Sequence, residues 1–133
     1  MGIPTVQSEL ELRNILLSTA LTKPTANWIG LHSTAPINDA DYGVELSGSG
    51  YERIEVSTWD FSARQAENST VITFPTATGA WLEAVSFGVY TSSGSTAFIR
   101  GGALDTARTA ASGDVLRFST GAIVIQYNTS TDL

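Results

Sequence analysis

The chain contains no cysteine. Disulfides, thiol nucleophiles and cysteine-ligated zinc are thereby excluded together. Basic residues are scarce: seven Lys and Arg stand against 13 Asp and Glu, for a net charge of −6. They form no run. Nucleic-acid binding needs a basic face that displaces counterions, and an anionic membrane surface asks for a polybasic cluster, so neither partner is expected. No apolar stretch approaches the ~20 residues that cross a bilayer as a helix. No basic segment leads into an apolar core near Met1, so no signal peptide is expected. Charged residues make up only 15% of the chain, against about 25% in ordinary globular domains.

Ser and Thr take over the task of solvating the surface, with 15 and 17 copies. A hydrophobic share of 42% over 133 residues excludes a disordered chain and suits one domain, residues 1–133. β-Branched Thr favours strands, and the 12 glycines favour turns. The pattern predicts an all-β fold, an antiparallel β-sandwich of jelly-roll type with about seven or eight short strands and one N-terminal helix.

That helix is expected over residues 7–22. Ser8 and Glu11 have the spacing of a capping box, and Leu12, Ile15, Leu16 and Ala20 form an apolar stripe, which Lys23-Pro24 ends. Such a stripe can dock a partner, but more commonly it closes one end of its own core. The sandwich is expected over 27–127, with 128–133 as a tail. Strands are read at Asn27–Ser33, Tyr51–Ser57, Thr70–Phe74, Leu82–Tyr90 and Thr96–Gly102. A final hairpin is read from Asp114–Ser119 and Ala122–Tyr127 around Thr120-Gly121, while Trp59–Asn68 reads as irregular. Thr34–Gly50 reads as a polar loop of a length that is unusual unless it is functional or ordered by a neighbour.

Few residues here carry a chemical pattern. His32 is the only histidine and has no Gly-x-Ser-x-Gly nucleophile nearby, so no triad is assembled. Asp39, Asp41 and Glu45 alternate in the long loop as oxygen ligands of a hard cation do, but they match no EF-hand, and a solvated acidic loop or one that meets a partner's arginine explains them better. Arg100-Gly101-Gly102 occurs once, and its glycines suit a bulge better than RNA contact. No enzyme activity, cofactor or metal is expected. The aromatics could build a carbohydrate platform or an interface hot spot. Tyr51 and Trp59 flank irregular segments and are the favoured interface candidates, as anchors whose loss spares the fold.

One ordered set of residues is more specific. It runs Trp28-Ile29-x-Leu31-His32-Ser33, then Glu45-Leu46-Ser47-Gly48-x-Gly50-Tyr51-x-Arg53, then Ile72-x-Phe74-Pro75-x-Ala77-Thr78-x-x-Trp81 and Phe87-Gly88-Val89-Tyr90. Gly102-x-Leu104, Arg108, Gly113-Asp114 and Phe118 close it. This order resembles a family of small virion proteins of tailed bacteriophages, including cyanophages, whose members are labelled tail fibre proteins and whose fold also serves in head decoration or cement proteins. Many relatives carry an acidic residue after the Phe-Gly-x-Tyr tyrosine, where this chain has Thr91.

The resemblance implies a structural protein of the virion, assembled in the host cytoplasm. The expected role is a capsid decoration or cement subunit that binds the major capsid protein at capsomer junctions as a homo-oligomer, trimer or dimer. The alternatives are a tail fibre or baseplate component contacting tail proteins, and a carbohydrate-binding module. Glu45 and Arg53 bracket the Gly-Ser-Gly turn and are expected to pair across it. The interface set expected is Tyr51, Trp59, Arg53, Glu45, Asp39 and Asp41.

Overall fold

A computed structural model describes residues 26–35, 43–62, 65–94 and 98–126, with single positions at 9, 12, 16 and 17. Alternation decides the first strand, β1 (Trp28–His32). It pairs residue for residue with β6 (Ala84–Tyr90), so that Ile29 lies opposite Val89 and Leu31 opposite Phe87 on one face. All four of these side chains are buried. β2 (Ile54–Glu55) flanks β1, and β7 (Phe98–Arg108) flanks β6, completing an antiparallel sheet ordered β2-β1-β6-β7.

A second sheet, β3-β4-β9, joins β3 (Trp59–Ser62), β4 (Gln65–Asn68) and β9 (Val124–Gln126). A third pairs β5 (Ile72–Thr73) with β8 (Arg117–Phe118). Every pairing is antiparallel. The expected all-β antiparallel class is therefore what the chain adopts, as sheets of four, three and two strands.

One buried cluster draws on all three sheets: Ile29, Leu31 and Phe87 from the first, Ile72 and Phe118 from the third, and Trp59 and Ile125 packed at its margin from the second. Phe74 and Phe118 meet edge to face with centroids 5.8 Å apart. Each such side chain contributes about 1.5–3 kcal/mol by leaving water.

Three departures from the sequence reading have physical causes. The supposedly irregular stretch Trp59–Asn68 holds the β3–β4 hairpin. One face pairs Asp60 with Glu67 and Ser62 with Gln65, and on the other Phe61, opposite Ala66, stands 79% exposed, so Trp59 alone gives the stretch an inward apolar signal. Next, the strands on either side of Thr120-Gly121 do not pair with each other. The turn forms, with the Ala122 amide donating to the Ser119 carbonyl at 3.0 Å. Asn68, however, is fully buried beside it, donating from Nδ2 to the carbonyls of Thr70 and Ser119 and accepting the Ile123 amide at Oδ1. That side chain takes the groups a hairpin would use, and sends β8 to β5 and β9 to β4. Finally, β7 runs on past Gly102 to Arg108.

The helix expected over 7–22 falls almost wholly outside the described residues. Leu12 and Leu16, two of its stripe positions, are 59% and 76% exposed, so they do not close the core as the commoner reading has it.

Candidate functional site

The first sheet's other face carries the polar chemistry. On it Gly30 lies opposite Gly88, between the pairs Trp28–Tyr90 and His32–Ser86. The two glycines cut the sheet down to bare backbone. A Cβ on Gly30 would stand 2.7 Å from Glu45 Oε1 and 3.0 Å from the Tyr90 ring. On Gly88 it would stand 2.8 Å from His32 Nε2 and 2.9 Å from both Phe98 and Tyr90. Real Cβ atoms do not come so close, so the trough exists only because both positions lack a side chain.

The trough is filled by hydrogen-bonded groups. β2 covers only the start of β1, which leaves the Leu31 amide without a strand partner, and that amide donates to the Tyr51 hydroxyl at 2.8 Å. The hydroxyl donates in turn to Glu45 Oε1 at 2.9 Å. Arg53 grips the same carboxylate with both arms of its fork, Nε to Oε1 at 2.8 Å and Nη2 to Oε2 at 2.7 Å. Its remaining arm, Nη1, donates to the Ser92 carbonyl at 2.8 Å in the β6–β7 connection. The guanidinium lies over the Tyr90 ring, 3.4 Å from the centroid, and the Tyr90 hydroxyl shares a 2.7 Å hydrogen bond with His32 Nε2. Charge-assisted, bidentate bonds of this kind are the strong ones.

Local sequence sets these positions. Gly48, Ser49 and Gly50 all have positive φ, a turn that two glycines make possible. The Trp81 indole donates to the Ser49 carbonyl at 2.9 Å, as does the Thr78 amide. The loop is thereby pinned, and Glu45 and Arg53 are returned to each other. Glu45 also bridges His32 across the strand edge.

Burial, and next the Glu45 charge, push the Tyr51 phenol above its ordinary range. Burial and Glu45 do the same to Tyr90, against an opposing pull from Arg53. Burial alone would lower the Arg53 pKa, but the hydrogen bonds and charge of Glu45 outweigh it and the net shift is upward. Neither phenol is poised to lose a proton near neutrality. The consequence is alkaline lability. Above about pH 10 the unfolded chain releases phenolic protons that the folded chain retains, so stability falls as pH rises, by up to about 1.4 kcal/mol per pH unit for each tyrosine. Urea midpoints should be insensitive to these groups below pH 10 and drop above it. Tyr51→Phe should flatten that slope, and an unchanged slope would contradict the assignment.

Of the expected interface set, Glu45, Tyr51 and Arg53 are brought together, and the expected pair across the turn forms. Tyr51 also stacks on Phe74 and meets Trp81 edge-on, with centroids 6.3 and 5.4 Å away. Its loss therefore bears on the fold, contrary to the sequence expectation. Trp59 lies elsewhere, on β3. Asp39 and Asp41 lie outside the described residues, and among the described residues no three metal-ligating side chains gather. Sequence reasoning missed Tyr90, His32 and the glycine pair. The signal was present in two strands, each with a central glycine on the face away from its aliphatic residues.

Beside the ion pair opens a cleft of about 600 Å³, lined by Trp28, Glu45, Tyr51, Glu52 and Arg53 and by the Ser47-Gly48 and Ser93-Gly94 loops.

The family model described as Podophage GP4 fiber I protein gp80 matches residues 5–126, nearly the whole chain. No curated protein matches the chain significantly.

Proposed function

The chain belongs to the Podophage GP4 fiber I protein gp80 family, and from that premise we propose that it is a structural subunit of a phage tail fibre. The match over residues 5–126 carries the reading, because it embraces every described strand and all of the polar trough. A phage structural protein of the fibre-labelled type is the family's own character. Attachment to the tail, contact with tail proteins and self-association as dimer or trimer are the proposal. So is assembly in the host cytoplasm. This reading takes the place of the capsid-cement role expected from the resemblance, which the fibre description does not favour.

The geometry supports a protein that works by contact and not by turnover. Its principal polar cluster is satisfied from within: Tyr51 both accepts and donates, and Arg53 spends its fork on Glu45 and Ser92. A catalytic group, by comparison, is held at a pKa matched to its task. Partner contact falls most naturally on β3, where Phe61 is exposed on the hairpin that begins at Trp59.

Immunogold labelling of intact particles with an antibody to this chain tests the reading. Gold is expected on fibres at the tail. Gold spread over the head would restore the cement role in its place.

A further inference from the structure

We propose that the outer edge of β3 pairs antiparallel with the same strand of a second copy of this chain, about a two-fold axis through Phe61. The inference deepens the self-association proposed above by naming its surface and register. β3 ends the sheet β3-β4-β9, and no described strand lies beyond it. Asp60, Phe61 and Ser62 are exposed in succession, so the edge is open to solvent. Edge strands are commonly blunted by lysine, proline or a bulge. β3, Trp59-Asp60-Phe61-Ser62, has none of these, and its ladder with β4 runs without a register shift. β7, the long edge strand of the first sheet, is by contrast broken by two register shifts against β6.

The phase of the ladder decides which backbone groups face outward. The Asn68 amide donates to the Ile123 carbonyl at 3.3 Å, and the Asn68 carbonyl accepts from the Gly121 amide at 3.0 Å. Both groups of Asn68 thus turn away from β3. Trp59, directly opposite Asn68, therefore sits in a pair that exchanges no hydrogen bond, and Phe61–Ala66, two residues on, has the same phase. The N–H and C=O of Phe61 point out of the open edge. A contact between identical strands is isologous, with its axis at one residue. The middle of β3 offers two such axes, at Asp60 or at Phe61. The first sets two carboxylates face to face, beside the Glu67 that already lies opposite Asp60, and like charges directly opposite are destabilising. The second lets Phe61 exchange both outward hydrogen bonds with its copy. It brings together two rings that each stand 79% exposed, and it sets each Asp60 carboxylate opposite a Ser62 hydroxyl, which can donate to it. Two three-stranded sheets then join into one of six strands.

A ladder of four residues buries little area, so the association is weak in the free chain and is best read by trapping. The chain has no cysteine, which leaves the background free of other thiols. Asp60→Cys and Ser62→Cys chains are purified separately, then oxidised with glutathione disulfide, alone and mixed. In the proposed register positions 60 and 62 of facing copies lie opposite each other, with Cα atoms about 4.5 Å apart and within disulfide reach. Identical positions are diagonal neighbours about 7–8 Å apart, beyond that reach. The mixture should yield a disulfide-linked dimer, and neither chain alone should. Adding Phe61→Lys to both chains, with the fold checked by circular dichroism, should abolish it. Absence of a dimer from the mixture would leave the edge to a foreign strand and overturn the proposal. Equal linking by Asp60→Cys alone would move the axis to Asp60 and overturn the register. A yield unchanged by Phe61→Lys would mark random collision and overturn both. None of these results alters where gold falls on the particle, so the fibre reading stands or falls separately.

Discussion

Phe74→Ala should lower the stability of the free chain by about 3–5 kcal/mol, the usual cost of deleting a buried phenyl ring. Phe74 is 1% exposed. Its ring stacks on Tyr51 and meets Phe118 edge-on, so it couples the floor of the polar trough to the small β5–β8 sheet. Its amide donates to the Leu116 carbonyl at 2.9 Å, which holds the backbone and keeps the site from collapsing around the void. Small domains have only about 5–15 kcal/mol in total, so much of the population would unfold at modest denaturant. A urea titration should show a reduced midpoint with an unchanged slope. Phe61→Ala is the matched control, since that ring is 79% exposed, and it should move stability by no more than about 0.5 kcal/mol. Equal effects at the two positions would mean that the core has been wrongly located.

Arg53→Ala should cost about 3 kcal/mol. Breaking a buried ion pair by removing one partner typically costs about 3–5 kcal/mol. The lower end applies because the Glu45 side chain is 23% exposed and water can partly replace the guanidinium. Three contacts vanish at once: the fork on Glu45, the bond to the Ser92 carbonyl and the cation over Tyr90. Arg53→Lys should not rescue the loss, because an ammonium cannot span both carboxylate oxygens and still reach Ser92. Thermal melts would decide the matter. A lysine variant as stable as the parent would show that charge alone, and not the fork, holds the trough together.

Much of this fold could be read in the residues beforehand, for identifiable reasons. β1 and β6 alternate Ile29-x-Leu31 and Phe87-x-Val89 around glycine, and a period of two with one face buried specifies register strongly. The Glu45–Arg53 pair was legible because the Gly-Ser-Gly turn between them can only double back. The β3–β4 hairpin was not, because one face is wholly polar (Asp60–Glu67, Ser62–Gln65) and the other sets only Trp59 and Phe61 opposite Asn68 and Ala66, an alternation too short to stand out. The fate of the strands around Thr120-Gly121 was hidden as well. It depends on Asn68, more than 50 residues away in the chain, intercepting the Ile123 amide. Tyr90 reads as the end of a strand, and its part in the trough depends on Arg53 arriving from another loop. Local periodicity reveals elements, whereas a polar site assembled from four segments is a product of the pairing that follows.

If this chain is a piece of the fibre, its three sheets belong in the fibre's density. A cryo-electron microscopy reconstruction of the intact particle tests it most directly, by fitting the three sheets into the map. Density for them is expected along fibres joined to the tail, with neighbouring subunits against the chain's surface. Density for the same sheets only over the joints between capsomers, with fibres that accommodate none, would contradict it.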